Sequence, residues 1–351
     1  MPEIPSGSIY DKVSQVSKMS LDTMDQEARD FFKNYYGIEF LNSTSNQAIC
    51  FSNWSGHPEV VLEAISNVNK SFKEIPTSVV DENFDDYISE IIYQSIAITG
   101  RNQLTGIKGR ILSQVLPSYA YKTDEVYKDA MRIISAYEKI GIDRSKLYIK
   151  IPVTWESMQA AKKLKAEENV DCLGTVVHSL EQAIIAAEAN CAVISPYVDD
   201  LETNLDPSTY VRGPLEANYG YNETVKIHKY YKAHNVKTII CVAATIGIDV
   251  IMGLSGIDEI TVPVVALHKM LNFPVPSDVT VPNLKSSYST EEAEKVETYI
   301  DDREKYYASL NTNPTAQKRI KFACDTFMSF DDKAHVLIKN ILIEFKGLKQ
   351  Y

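Results

Sequence analysis

Lys150 stands alone in the stretch "KLYIKIPVTWESMQAAKKL", residues 146–164. Around it Leu147, Tyr148, Ile149, Ile151 and Val153 are apolar, aromatic or β-branched, which suits a strand covered on both faces. Burying a lysine there costs several kcal/mol unless its charge is paired or removed. Two roles account for such a residue: a structural ion pair or a chemical task. An amine partly desolvated by apolar neighbours has a lowered pKa, so its lone pair becomes available to attack a carbonyl. The imine that results is an electron sink through which carbon–carbon bonds can be made and broken. From these residues alone both roles stay open.

The elements that must position this lysine follow a repeating rhythm from about residue 100, in which a short apolar run ends, a polar turn follows, and helical periodicity begins. "KLYIKIPV" precedes "TWESMQAAKKLKAEEN", in which Met158, Ala161 and Leu164 recur at three-residue steps. "VDCLGTVV" precedes the Ala-rich "SLEQAIIAAEAN", with Ser179 placed to cap its start. "CAVISPYV", "KTIICVAAT" before "GIDVIMGLSG", and "DEITVPVV" before "ALHKML" continue the pattern. Strands spaced roughly 20 to 25 residues apart indicate β-α units and a parallel sheet. In the first hundred residues "GIEFLNSTSNQAICF" reads as a strand running into a loop, and "HPEVVLEAISNVNKSF" and "NFDDYISEIIYQSIAITG" read as helices. "GRILSQVLPSYAY" adds a further strand with its exit loop. Seven clear strands and a weaker eighth near residues 14–22 favour an α/β fold of the (β/α)8 TIM-barrel type over an open sheet. In such a barrel chemistry gathers at the C-terminal ends of the strands, and Lys150 lies near one. No GxGxxG or GxxxxGK[ST] segment follows a strand, so a nucleotide cradle has no support. Residues 199–224, acidic and polar, are expected to form a long loop, or a loop plus helix, after the sixth strand. No linker divides the chain, which reads as one domain over residues 1–351. The helical, charged segments of residues 285–351, including "STEEAEKVETYIDDREKYYASL" and "DDKAHVLIKNILIEFKGL", are expected to pack on the barrel.

Composition narrows the function classes. The chain has 351 residues, 44% hydrophobic and 24% charged, ordinary for a globular protein. A net charge of −11 and a pI near 5.2 give no global field for nucleic acid or an anionic membrane. The first residues, "MPEIPSGSIYDKVSQVSKMS", hold no apolar signal core, and no apolar run approaches the ~20 residues that span a bilayer, so a cytoplasmic location is expected. Cys50, Cys172, Cys191, Cys241 and Cys324 are widely spaced, and none has metal-ligand spacing to a histidine or another cysteine. Three of them lie in apolar runs, where a free cysteine acts as a small core residue. No metal site is expected. His178 and His268 fall near strand or loop ends and could reach a site, although core or surface roles are the simpler reading.

Several motifs together carry a family resemblance. "YIKIPVTWESMQAAKKL" resembles the Schiff-base lysine motif of transaldolases, a strand with K-[IL]-[PA]-x-T-W followed by a helix with xxAA, and Lys150, Thr154, Trp155 and "QAA" at 159–161 fit it. "SLDTMD" at 20–25 resembles the first-strand segment and puts the family's acidic catalytic residue at Asp22. "NSTSNQA" at 42–48 is similar to a worn T-T-N-P-S, with Asn46 on the asparagine; "GRILSQV" at 109–115 resembles G-R-[IV]-S-x-E-V; and "ISPYV" at 194–198 resembles I-S-P-F-V. Five such matches in order imply the class I aldolase barrel of that family. They imply Lys150 as imine former, Asp22 as proton carrier, and Asn46, Thr175 and Ser195 as substrate contacts. No cofactor is implied, because the lysine imine supplies the electron sink itself. The implied partner is a small carbonyl substrate, with neither nucleic acid nor membrane, and the C-terminal helices either join a homodimer or wrap one barrel.

The departures from the family pattern bear on substrate and proton transfer. Where transaldolases carry a glutamate that helps a water move protons, this chain has Gln114, and their phenylalanine after S-P is Tyr197. Family aldolases that take free dihydroxyacetone-type donors resemble the chain at both points, and a phenol can supply the proton that a glutamate–water pair otherwise would. The family's arginine after I-S-P-F-V falls on Asp200, and its A-S-F-R segment falls on "AATI", with Ala244 for serine and Ile246 for arginine. The asparagine on strand five falls on Leu173, while Thr175 is kept. Losing both guanidiniums removes bidentate phosphate clamps, each charge-assisted contact being worth roughly 1.5–3 kcal/mol. Tyr119 and Tyr121 in "PSYAY" and the tyrosines of "YVRGPLEANYGY" could stack on a planar substrate, and Arg212 is the nearest loop arginine, more simply a solvated one. The leading expectation is an imine-dependent enzyme on an unphosphorylated carbonyl compound. A conventional transaldolase of the pentose phosphate pathway and a non-catalytic binding barrel are the alternatives.

Overall fold

Strand segments rich in Ile, Leu and Val, each followed by a polar turn and a helix, have to bury both of their faces, and closing the sheet on itself does this without leaving an edge. The computed structural model of the chain describes residues 3–277, 279–286 and 294–349. Its strands β1 (Lys18–Leu21), β2 (Ser43–Thr44), β3 (Ile111–Gln114), β4 (Leu147–Pro152), β5 (Cys172–Val177), β6 (Val193–Pro196), β7 (Ile239–Val242) and β8 (Glu259–Val262) pair in chain order. All pairs are parallel, and β8 closes against β1 with Lys18 opposite Glu259 and Leu21 opposite Val262. The chain therefore forms the (β/α)8 barrel that its alternation implies, and the weak strand expected near 14–22 is β1.

Helices surround the barrel. In chain order they are α1 (Ile9–Ser14), α2 (Gln26–Tyr36), α3 (Gln47–Gly56), α4 (Pro58–Val68), α5 (Phe84–Leu104), α6 (Thr123–Lys139) and α7 (Trp155–Glu168), then α8 (Leu180–Glu188), α9 (Leu201–Leu205), α10 (Tyr219–Ala233), α11 (Ile248–Gly253), α12 (Val264–Asn272), α13 (Arg303–Leu310) and α14 (Pro314–Lys346). Among the helices that leave the C-terminal end of a strand, Asp25 accepts from the Glu27 and Ala28 amides, Asn46 from Ile49, Thr154 from Ser157 and Ser179 from Gln182. The Ser179 cap is the one its sequence position indicates.

The helical expectation for residues 289–310 is narrowed. Residues 289–293 lie outside the described residues, 294–299 are not helical, and α13 begins only after Asp302, whose carboxylate caps it. Conversely, α14 starts well before "DDKAHVL" and runs for 33 residues. It lies along the C-terminal rim of the barrel. Arg319 meets Asp200 beyond β6, Met328 sulfur accepts from the Ser118 amide beyond β3, and Phe330 packs on Phe51 of α3. Its end, with Ala334, Ile338 and Leu342, joins a second apolar core with Trp54, Val61, Ile65 and Ile91 from α3, α4 and α5.

Two backbone features shape the rim. Val176 adopts φ 58°, a conformation that β-branched residues avoid, inside a register shift between β5 and β6. The buried Gln182 amide holds the bulge: its Nε2 donates to the carbonyls of Val153 and Val176, and its Oε1 accepts from the His178 amide. On β7's exit Ala244 is also left-handed, at φ 54°, and its carbonyl accepts from the Asp199 amide.

Candidate active site

Alternate residues of a strand share a face, so the inner layers of the barrel can be read off two at a time. Leu112, Leu173, Val193 and Cys241 form a buried interior cluster with Tyr148 packed against it. Two residues further along the same strands stand Gln114, Lys150, Thr175 and Ser195, all buried. The sequence-expected residues of β3, β4, β5 and β6 thus occupy one layer above an apolar floor. Tyr197 follows Ser195 by two, and Asp22 is the first residue beyond β1.

Lys150 is 3% exposed. Its Nζ donates to Thr44 Oγ1 at 3.2 Å and to the Ser45 carbonyl at 3.4 Å, both uncharged acceptors. Among the described residues it makes no salt bridge, which removes the structural-ion-pair reading of a lysine in a buried strand. Burial lowers its pKa to about 8, with the nearby Asp22 carboxylate pulling the other way. The half-buried Asp22 has its pKa raised by desolvation, which the Lys150 charge opposes. Desolvation thus pushes both groups toward their neutral forms, while the charge of each opposes the shift of the other.

The remaining side chains hold one another. Thr175 donates to the Tyr197 hydroxyl at 3.3 Å, and burial pushes the Tyr197 pKa up, so the phenol keeps its proton. Gln114, directly beside Lys150 in the β3–β4 register, donates through Nε2 to Gln47 Oε1 at 2.8 Å; its Oε1 is buried with no partner among the described residues. Asn46 spends its Oδ1 on the α3 cap, accepting from the Ile49 amide at 2.9 Å. Beside these groups, Ser45, Asn46, Gln114, Tyr119, Asp129 and Asp331 share the wall of a cavity of about 430 Å³.

Sequence reasoning did not single out Thr44 and Ser45, although both sit in the quoted "NSTSNQA"; hydroxyl-rich residues at a strand end were the signal. It also set aside His178, which is 3% exposed, with its ring 5.5 Å from that of Tyr197 and near perpendicular to it. The loop aromatics divide. Tyr121 is largely exposed, whereas Tyr219 donates to the His178 carbonyl at 2.7 Å. Arg212 is 79% exposed and pairs with Asp249 at 3.4 Å, away from Lys150's neighbours. Asp199, on the expected phosphate side, accepts from the backbone amides of Ile246 at 2.8 Å and Gly247 at 3.0 Å and from Asn218 Nδ2 at 2.9 Å. A carboxylate of the chain itself fills that cradle.

Comparison with known proteins bears on this arrangement. A family described as transaldolase/fructose-6-phosphate aldolase matches residues 19–335. A transaldolase of Kluyveromyces lactis is 30% identical over 257 residues, 71% of this chain and 75% of that protein. One of Saccharomyces cerevisiae is 29% identical over 252 residues, 70% and 74% of the two chains. A transaldolase of Prochlorococcus marinus is 27% identical over 348 residues, which covers 97% of this chain and 96% of the other. Among the described residues no helix is long and apolar enough to cross a membrane.

Proposed function

This chain belongs to the transaldolase/fructose-6-phosphate aldolase family and is a class I aldolase- or transaldolase-like enzyme, and on that footing we propose that Lys150 is the amine that forms its imine. One observation carries the assignment: a lysine buried inside the barrel, at the C-terminal ends of the strands, hydrogen-bonded only to neutral acceptors. At neutral pH a lysine of pKa about 8 has roughly one amine in ten uncharged, against fewer than one in a thousand for an ordinary lysine.

In the proposed sequence Lys150 Nζ attacks the substrate carbonyl and gives a carbinolamine. Asp22 protonates the departing hydroxyl, water leaves, and an iminium forms. The bond between the two carbons next beyond the iminium then breaks, its electron pair moving into the imine to give an enamine. Asp22 takes the proton of the hydroxyl that becomes the leaving aldehyde's carbonyl. An acceptor aldehyde adds to the enamine in the reverse sense, its oxygen taking the proton that Asp22 gained at cleavage. Water then adds to the iminium, with the Tyr197 phenol relaying that water's proton, to release product and free Lys150. Thr175 orients the Tyr197 phenol, while Asn46, Gln114 and Ser195 offer hydrogen bonds to substrate hydroxyls.

On the substrate, the shared name of the relatives favours conventional transaldolase transfer between sugar phosphates over the unphosphorylated donor that the sequence departures suggest. The second reading keeps one specific support, the Asp199 carboxylate already seated on the Ile246 and Gly247 amides. A coupled assay with fructose 6-phosphate and erythrose 4-phosphate separates the two. Intact mass after borohydride treatment with dihydroxyacetone, fructose and fructose 6-phosphate tests the imine itself, with Lys150→Met as control. An adduct that survives in Lys150→Met, or none with any carbonyl compound, refutes the assignment.

A further inference from the structure

We infer that Arg319 of α14, together with His178, is the group that recognises a phosphate monoester on the substrate. Arg319 reaches the rim from the last helix. Its Nη2 lies 2.7 Å from Asp200 Oδ1, and its guanidinium carbon sits 4.7 Å from the Tyr219 ring centroid. Nη1 is buried without a hydrogen-bond partner, the only cationic atom of that kind among the described residues. An unpaired charged donor out of water is costly, and a fixed guanidinium with a spare N–H fits a phosphate oxygen.

His178 provides the second, independent observation. It is buried, and neither ring nitrogen has a partner among the described residues. Burial, and next the Arg319 charge, press its pKa down to about 3, so the imidazole is neutral and offers one N–H. Both residues line a cavity of about 460 Å³ that also has Lys318 and Thr315 on its wall, with the carboxylates of Asp200 and Glu202 opposing them. This cavity lies beside Tyr197, because the His178 ring stacks edge-on against that phenol. The alternative place for an anion, the Ile246 and Gly247 amides, is closed by Asp199. Asp200 therefore orients Arg319 and weakens its pull on a ligand, so its removal and the removal of Arg319 should act in opposite senses.

The inference rests on the reading of Lys150 as the imine former, and its test is built to fail separately. The kcat/KM for a ketose phosphate donor is divided by that for the unphosphorylated ketose in wild type, Arg319→Ala and Asp200→Asn. The ratio should fall roughly ten- to hundredfold in Arg319→Ala and rise in Asp200→Asn, and inorganic phosphate should compete with the phosphorylated donor. An unchanged ratio in Arg319→Ala overturns the inference, as does phosphate inhibition that is not competitive with that donor, the mark of a free-phosphate effector site. Should Arg319→Ala fold poorly, Arg319→Lys, which keeps the charge but loses the fork, is expected to give an intermediate ratio. If no carbonyl compound is trapped on Lys150 the imine reading has failed, and calorimetry of inorganic phosphate with wild type and Arg319→Ala still decides the anion site: weaker binding to the variant supports it, equal binding overturns it.

Discussion

Replacing Lys150 with methionine should make the folded chain more stable at neutral pH while abolishing the imine. The size of the effect follows from the burial of the amine. Its pKa falls from 10.5 to about 8 on folding, which corresponds to about 3 kcal/mol against the folded state when the amine is charged. Below pH 8 both the folded and unfolded chains hold the proton, and the whole penalty is present. Between pH 8 and 10.5 the unfolded chain keeps the proton and the folded chain has lost it, so stability rises with pH and the penalty fades. Methionine has similar length and no charge, but it leaves Thr44 Oγ1 and the Ser45 carbonyl without their donor, a loss of about 1 kcal/mol each. The net gain for Lys150→Met near pH 7 is then about 1 kcal/mol. Whatever its absolute size, the gain should shrink by about 1 kcal/mol between pH 7 and pH 9, because only the charge penalty depends on pH. Urea unfolding of both proteins across that range measures it. A difference that stays constant with pH, or grows, would refute the buried-cation account of this lysine.

Two further perturbations probe its neighbours. Tyr197→Phe removes the hydroxyl to which Thr175 donates and should lower kcat roughly 10²- to 10⁴-fold while the Lys150 adduct still accumulates under borohydride; an unaltered kcat would exclude the phenol from proton transfer. Gln114→Glu sets a carboxylate directly beside Lys150 in the strand register, so the Lys150 pKa should rise and the midpoint of the pH dependence of trapping should move up from about 8. A midpoint that does not move would mean that the new carboxylate is itself protonated or turned away toward Gln47.

Much of the barrel was legible because its signals are local. Apolar runs, cap residues such as Ser179 and Thr154, and helical steps in α7 and α8 depend on neighbours a few positions away. The apolar setting of Lys150 belongs to the same class, and the β4 strand delivers it as read. What escaped notice depends on distant partners. In "GIEFLNSTSNQAICF" only Ser43–Thr44 pairs as strand, because Asn46 caps a helix at once and cuts the run short. Asp200 read as an arginine lost from the rim, and nothing near it in the chain signals that Arg319 arrives beside it from α14. His178 looked like a core histidine; its burial is real, but unpartnered nitrogens are a property of the packed rim and have no local pattern. Residues 294–299 kept helical spacing without forming a helix: there the chain runs across to α8, where the amides of Tyr299 and Ile300 donate to Glu188.

The position of α14 has a consequence for how the protein comes into being. This helix follows all eight strands in the chain, yet it furnishes part of the rim around the amine. During synthesis the barrel can close, and the apolar floor under Lys150 can assemble, while α14 is still on the ribosome. On the proposed reading of Lys150 and Arg319, the amine is in place before the guanidinium that selects among its substrates. On that reading, discrimination is the last property the growing chain acquires.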